Sequence, residues 1–166
     1  MQVSVIILAA GQGTRMNSDL PKVLHQVAAA PLLHHVLATA QSLDPARIVV
    51  VTGQGAEAVA ASATHYSEAV ETVLQDPQAG TAHAVAQAAP LLSGTEGEAI
   101  VLYADTPLIR EETLRAMLDA RARHAVVVLG FHAKDPGRYG RLLTQGDDLL
   151  AIREFKDATP EERTLT

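Results

Sequence analysis

Val5-Ile6-Ile7-Leu8-Ala9-Ala10 is an unbroken apolar run that stops at Gly11, with Gly13 following closely. A strand with one wet face alternates apolar and polar residues. A run that is apolar at every position and bounded by turn residues is the mark of a strand buried on both faces of a parallel sheet. Such a strand needs helices on both sides, which commits the chain to an α/β architecture. In open parallel sheets ligands sit beyond the carboxyl ends of the strands. The stretch after Ala10 is therefore the first place to look for function.

The rest of the chain repeats this alternation. Arg47 to Thr52 (RIVVVT), Glu71 to Leu74, Ala99 to Ala104 (AIVLYA) and Ala125 to Gly130 read as strands. Between them, Pro31 to Leu43, Ala56 to Ser67, Gly80 to Leu92 and Glu111 to His124 carry apolar residues at helical spacing or an alanine-rich helical texture. Pro31 suits a first helical turn, and Pro90 is tolerated only in a last one. The texture changes after Ala133. Tyr139 to Leu143 and Leu149 to Ile152 flank Gln145-Gly146-Asp147-Asp148, a hairpin signal. The expectation is one α/β domain over 1–166, with a mostly parallel sheet and a small β-hairpin insertion. Because nothing closes the sheet after the hairpin, the domain is expected to be incomplete at its carboxyl end.

Composition narrows the function classes. The chain has 166 residues, 48% of them hydrophobic but only 3% aromatic, so its core must be aliphatic. A formal charge of −6 argues against nucleic acid as a partner, which needs a basic footprint. There is no cysteine, which excludes disulfides, thiolate metal sites and a cysteine nucleophile. No apolar run reaches the ~18 residues of a membrane span, and no signal peptide is visible. A cytoplasmic protein that does not bind membranes is the expectation.

The loop after the first strand suits a polyphosphate. Gly11 and Gly13 let the backbone bend and present N–H groups to a ligand. Arg15 brings a planar donor fork and Lys22, stiffened by Pro21, a second positive charge. A tight strand-to-helix turn with two solvated cations accounts for the same residues. Two familiar phosphate motifs do not apply. Met16 replaces the third glycine of the dinucleotide fingerprint, and no Gly-Lys-Ser/Thr run supplies a P-loop.

Leu8-Ala9-Ala10-Gly11-Gln12-Gly13-Thr14-Arg15-Met16, followed by Leu20-Pro21-Lys22-Val23-Leu24, resembles the signature loop of the sugar-nucleotide pyrophosphorylases. More narrowly, the chain resembles the uridylyltransferase domain of the bifunctional bacterial N-acetylglucosamine-1-phosphate uridyltransferase/glucosamine-1-phosphate acetyltransferase. The resemblance implies a Rossmann-like three-layer nucleotidyltransferase fold. It implies transfer of UMP from UTP to N-acetylglucosamine 1-phosphate, with Mg²⁺ as cofactor. In the full-length family it also implies a trimer.

The resemblance assigns roles residue by residue. Leu8, Ala9, Ala10, Gly11 and Gly13 line the nucleotide, while Arg15 and Lys22 act on the phosphates. Gln75, Gly80 and Thr81 sit in the segment that reads the uracil; an amide side chain donates and accepts at once. Tyr103, Ala104 and Asp105 form the segment around the metal, with Asp105 as its ligand. Asp105 alone reads equally as a turn or N-cap aspartate. Ala104 stands where the family has glycine, and its methyl is expected to narrow the pocket or alter a backbone angle. Gly140 and Glu154 contact the amino-sugar acceptor. The seven histidines match no ligand pattern and are expected to be structural or solvated. Two other functions remain open: a related guanylyl- or cytidylyltransferase, and a non-catalytic nucleotide-sugar binding module.

Overall fold

A computed structural model of the chain describes residues 2–11, 13 and 16–166. Arg15, one of the expected phosphate ligands, lies outside the described residues. The chain divides into two compact units, the first ending at Ala122 and the second running Arg123–Thr166.

The first unit opens with strand β1 (Val3–Ala9). A 3₁₀ turn (Lys22–Leu24), two short antiparallel strands β2 (Gln26–Val27) and β3 (Ala30–Pro31), and helix α1 (Leu32–Gln41) follow. Then come β4 (Arg47–Thr52), α2 (Ala56–Tyr66), β5 (Val70–Leu74), α3 (Thr81–Leu92), β6 (Glu98–Tyr103) and α4 (Glu111–Arg121). Among the described residues one parallel sheet forms, in the order β5-β4-β1-β6.

Its register keeps the carboxyl ends level. Leu8 stands opposite both Val51 and Tyr103, and Thr52 opposite Leu74. Alternate residues of β1 feed two cores. Val5 and Ile7 face Leu33 and Leu37 of α1, Val59 of α2 and Leu114 of α4. Ile6 faces Ala84 and Ala88 of α3 with Val49 and Val51 of β4. Both faces are thus dry, which is why no polar residue interrupts the run after Ser4. This is an α/β Rossmann-like fold.

The strand order explains the layering. From β1 the chain steps outward to β4 and β5, then returns past β1 to add β6 on the other side. Right-handed crossovers place helices of the two winding directions on opposite faces. Accordingly α1 and α2 share one face and α3 takes the other. The winding reverses between β1 and β6, and the crevice beyond their carboxyl ends is where such sheets bind ligands.

Two local features were not foreseen. The β2–β3 hairpin turns on Ala28 and Ala29, both with positive φ (48° and 66°), where Asn-Gly is the usual pair. The run Ala125 to Gly130, expected as a strand, forms none. Val126 is 73% and Leu129 46% exposed. Apolar composition signals burial, but a strand also needs a neighbour to share its ladder, and this run has none among the described residues.

The second unit contains the expected hairpin: β7 (Arg141–Gln145) and β8 (Asp148–Arg153) pair antiparallel about Gly146, with an irregularity at Leu143/Thr144. Its anchor is the buried Arg141 guanidinium, which donates to the carbonyls of Tyr139, Gly137 and Arg163. A last 3₁₀ turn spans Glu162–Thr164. No helix among the described residues is long and apolar enough to cross a membrane.

Candidate functional site

A cavity of about 550 Å³ opens at the carboxyl ends of the sheet strands in the first unit. Leu8, Ala10, Gly11, Gly13, Lys22, Gln75, Gly80, Thr81, Tyr103 and Asp105 of the expected site all line it. These residues come from four separate stretches of chain, brought together by the level strand ends.

Each stretch has a local reason for its placement. Ala104 N–H donates to the Leu8 carbonyl, one bond beyond β6, and Thr106 then turns back on the Tyr103 carbonyl through both N–H and hydroxyl. Asp105 is the residue left at the crown of that turn. Opposite it, Pro21 leads into the 3₁₀ turn, with Leu24 N–H on the Pro21 carbonyl and His25 N–H on Lys22. The Pro21 ring sits against Gly55, where a β-carbon would fall 2.5 Å from the ring; Gly55 itself has φ 67°. Gly53 is pressed onto the backbone ahead of the loop, since a β-carbon there would lie 2.7 Å from the Ala10 carbonyl oxygen. The turn after β4 therefore buttresses both the glycine loop and the Lys22 segment.

The two charges meet. Lys22 Nζ donates to Asp105 Oδ2 at 2.6 Å, linking segments 83 residues apart. Both side chains are about one-third to two-fifths exposed, so the pair contributes only about 0–1 kcal/mol to the fold. It is easily exchanged for stronger partners on each side.

The other wall is polar and buried. Gln75 N–H bonds the Thr52 carbonyl and extends the β4–β5 ladder. Its side chain is 5% exposed, with Nε2 donating to the Gly80 carbonyl at 2.9 Å and lying 3.2 Å from His83 Nδ1. Gly80 (φ 98°) precedes α3, whose first-turn N–H groups have no partner within the helix.

Other expected residues are placed elsewhere. Ala9 and Ala104 are buried in the core shared with α1 and α4. The Ala104 methyl points away from the cavity and its φ is not positive, so it neither narrows the pocket nor strains the backbone. Gly140 and Glu154 lie in the second unit. They face each other at the mouth of the hairpin, a β-carbon on Gly140 falling 3.9 Å from Glu154 Oε1. Met16, Val23, Gln78 and Ala84 also line the cavity and were not singled out. For Gln78 a signal existed: it shares one turn with Gln75 and Gly80.

The donor set fits a divalent cation of the magnesium type. Mg²⁺ commonly uses one or two carboxylates and takes its remaining ligands from water and substrate phosphate. Asp105 offers one carboxylate, about a third exposed, that already holds a cation, the Lys22 ammonium. No cluster of three or more acidic, histidine or cysteine side chains able to hold a metal occurs among the described residues.

Comparison with known proteins places the chain in a family. The chain is 68% identical over 164 residues to the bifunctional protein GlmU of Cereibacter sphaeroides (strain ATCC 17023), covering 99% of the chain and 36% of that protein. It is 61% identical over 166 residues to GlmU of Dinoroseobacter shibae, covering 37% of it. The chain thus spans little more than a third of the length of these relatives. Among solved structures it is similar to HddC from Yersinia pseudotuberculosis, with a TM-score of 0.75 at 21% identity over 91% of this chain and 68% of that one. That likeness concerns the fold. Residues 5–162 match the MobA-like NTP transferase domain. With that match and a glycine loop facing an acidic turn across the switch point of the sheet, the chain belongs to the MobA-like NTP transferase domain family.

Proposed function

We propose that the chain is the uridylyltransferase portion of a UDP-N-acetylglucosamine-forming enzyme, working in the cytoplasm. In the reaction a phosphate oxygen of N-acetylglucosamine 1-phosphate attacks the α-phosphate of UTP in line. The bond to the β-phosphate breaks and pyrophosphate leaves. The attacking phosphate is already ionised at pH 7, so no protein nucleophile or general base is required. Such transfers depend on positioning and on neutralising charge.

The residues divide that work. Gly11 and Gly13 N–H groups hold phosphate oxygens, and Arg15 adds its guanidinium. Lys22 neutralises charge at the α-phosphate once its ammonium leaves Asp105. Asp105 would hold Mg²⁺, which when bound would supply positive charge to offset that of the phosphates. Gln75, with the Gly80–Thr81 helix start, meets the uracil. Gly140 and Glu154 serve the acceptor sugar.

The observation that carries the reading is the Lys22–Asp105 contact at 2.6 Å on the rim of a cavity lined by Gly11 and Gly13. The ammonium of Lys22 would neutralise phosphate charge there, and the carboxylate of Asp105 would hold a divalent cation. The test is pyrophosphate release from UTP and N-acetylglucosamine 1-phosphate, with and without Mg²⁺, in wild type and Asp105→Ala. The variant is expected to lose at least about a hundredfold in rate, the scale of removing one well-placed electrostatic group. Magnesium-dependent turnover near the wild-type rate in Asp105→Ala would remove the metal assignment.

A further inference from the structure

We infer that Gln78 is a specificity-determining residue whose amide meets the ribose 2′-hydroxyl, so that the cavity favours ribonucleoside over 2′-deoxyribonucleoside triphosphates. The inference rests on the proposed reading, in which Gln75 and the Gly80–Thr81 helix start meet the base and the turn holding Gly11 and Gly13 meets the phosphates. A ribose joins those two parts of the ligand and must lie between them. Gln75 follows β5 and Gly11 follows β1, and the strand that separates β5 from β1 is β4. Neighbouring strands lie about 4.8 Å apart, a step that one sugar ring spans. The sugar therefore belongs over the end of β4.

Among the described residues, none from β4 lines the cavity. Gln78 covers that place instead. It belongs to the turn between β5 and α3, yet a β-carbon on Gly53, the residue after β4, would fall 2.6 Å from its Nε2. The amide end thus rests on the end of β4. Gln78 lines the cavity, is exposed, and has no hydrogen-bond partner among the described residues. Its polar neighbours are already engaged: Lys22 is paired with Asp105, and Gln75 is bonded to the Gly80 carbonyl. An amide donates at one end and accepts at the other, and a hydroxyl does both. Either end of Gln78 therefore satisfies a hydroxyl, whichever way the amide is turned. Gln78 reaches in from the β5 side, the side of the base, and the 2′-hydroxyl is the ribose hydroxyl nearer the base.

The test is equilibrium binding of UTP, 2′-deoxy-UTP and 3′-deoxy-UTP with Mg²⁺, by calorimetry, to wild type and Gln78→Met. Methionine keeps the length of the side chain and removes the amide. One neutral hydrogen bond predicts that wild type binds UTP about three- to tenfold more tightly than 2′-deoxy-UTP. Gln78→Met is expected to bind the two alike, while its ratio of UTP to 3′-deoxy-UTP affinity stays at the wild-type value. Because the side chain is exposed, urea unfolding of the variant should match wild type. A wild type that does not bind UTP overturns the nucleotide reading and this inference with it. A wild type that binds UTP and 2′-deoxy-UTP equally well overturns the role of Gln78 alone. So does a Gln78→Met that keeps the wild-type preference for the 2′-hydroxyl, even if it binds every nucleotide more weakly. Loss of both ratios together marks a general change in the cavity floor and overturns the 2′-hydroxyl contact.

Discussion

Adding one methyl group at Gly11 and at Gly53 tests the site with opposite outcomes. At Gly11 an added β-carbon meets nothing within 4 Å among the described residues, and φ is not in the left-handed region. Nothing in the fold resists alanine there, and the unfolded chain loses freedom. Gly11→Ala should therefore unfold at equal or higher urea concentration, with a gain of up to about 1 kcal/mol. The open space is, however, the cavity. If phosphate approaches the Gly11 N–H closely, the methyl occupies its path, and UTP affinity should fall at least about tenfold. At Gly53 the β-carbon would stand 2.7 Å from the Ala10 oxygen and 2.9 Å from its Cα. Ordinary contact begins near 3.4 Å, so the Ala10 backbone must retreat by 3.4 − 2.7 = 0.7 Å. Overpacking of that kind costs about 1–3 kcal/mol. It also moves the glycine loop by a distance that matters for binding, since misplacements near 1 Å cost up to about a hundredfold. Urea unfolding and UTP calorimetry on the two variants form the assay. Gly11→Ala binding UTP like wild type would refute the placement of the phosphates over that turn, whatever Gly53→Ala does.

Two further predictions concern the frame. The β2–β3 turn holds Ala28 and Ala29 at positive φ, which costs each residue about 1 kcal/mol or more; Ala29→Gly is expected to raise stability by roughly that amount in urea unfolding. The Arg115 guanidinium, bonded to Glu111 at 2.7 Å one helical turn away, holds the Glu111 carboxyl below its ordinary value of 4.5. A depressed acid stabilises the fold above its unfolded pKa and loses that contribution as pH falls through the folded one. Wild type should therefore lose stability below about pH 4.5 more steeply than Arg115→Ala, and parallel acid melting curves would refute the pairing.

How much of this was legible depended on whether the signal was local. The strand over Arg47–Thr52 and the helix from Ala56 were readable because each carries its own periodicity and turn residues. The hairpin about Gly146 was readable for the same reason. Ala125 to Gly130 misled because its apolar content is local while strand pairing is not. The β2–β3 hairpin was hidden because alanines occupy a turn that normally announces itself with glycine and asparagine. In the site, Asp105 and Gln75 were singled out by the resemblance of the segments around them, and both line the cavity. The orientation of the Ala104 methyl was not, since it depends on which side of β6 faces α4. The tie between Gln75 and His83 was equally out of reach: it depends on a helix start folding back over a strand end.

The sheet also sets the scale of the ligand. Gln75 follows β5 and Asp105 follows β6, and in the order β5-β4-β1-β6 these are the outermost strands of the described sheet. Neighbouring strands lie about 4.8 Å apart, so three steps separate the two ends by roughly 14 Å. Gly11 and Lys22 fall between them, nearer β6. A lone phosphate would use one end of this row and leave the buried amide of Gln75 without purpose. On the proposed reading, a nucleotide laid across the strand ends would use all of it, its base over β5 and its phosphates over β1 and β6. The polarity of the row is then fixed by charge: the ammonium and the carboxylate stand at the β6 end, where an anion and its metal belong, and the neutral amide stands at the other. Reversing the ligand would put a base against Lys22 and polyphosphate against the neutral amide of Gln75, which has no charge to offset it.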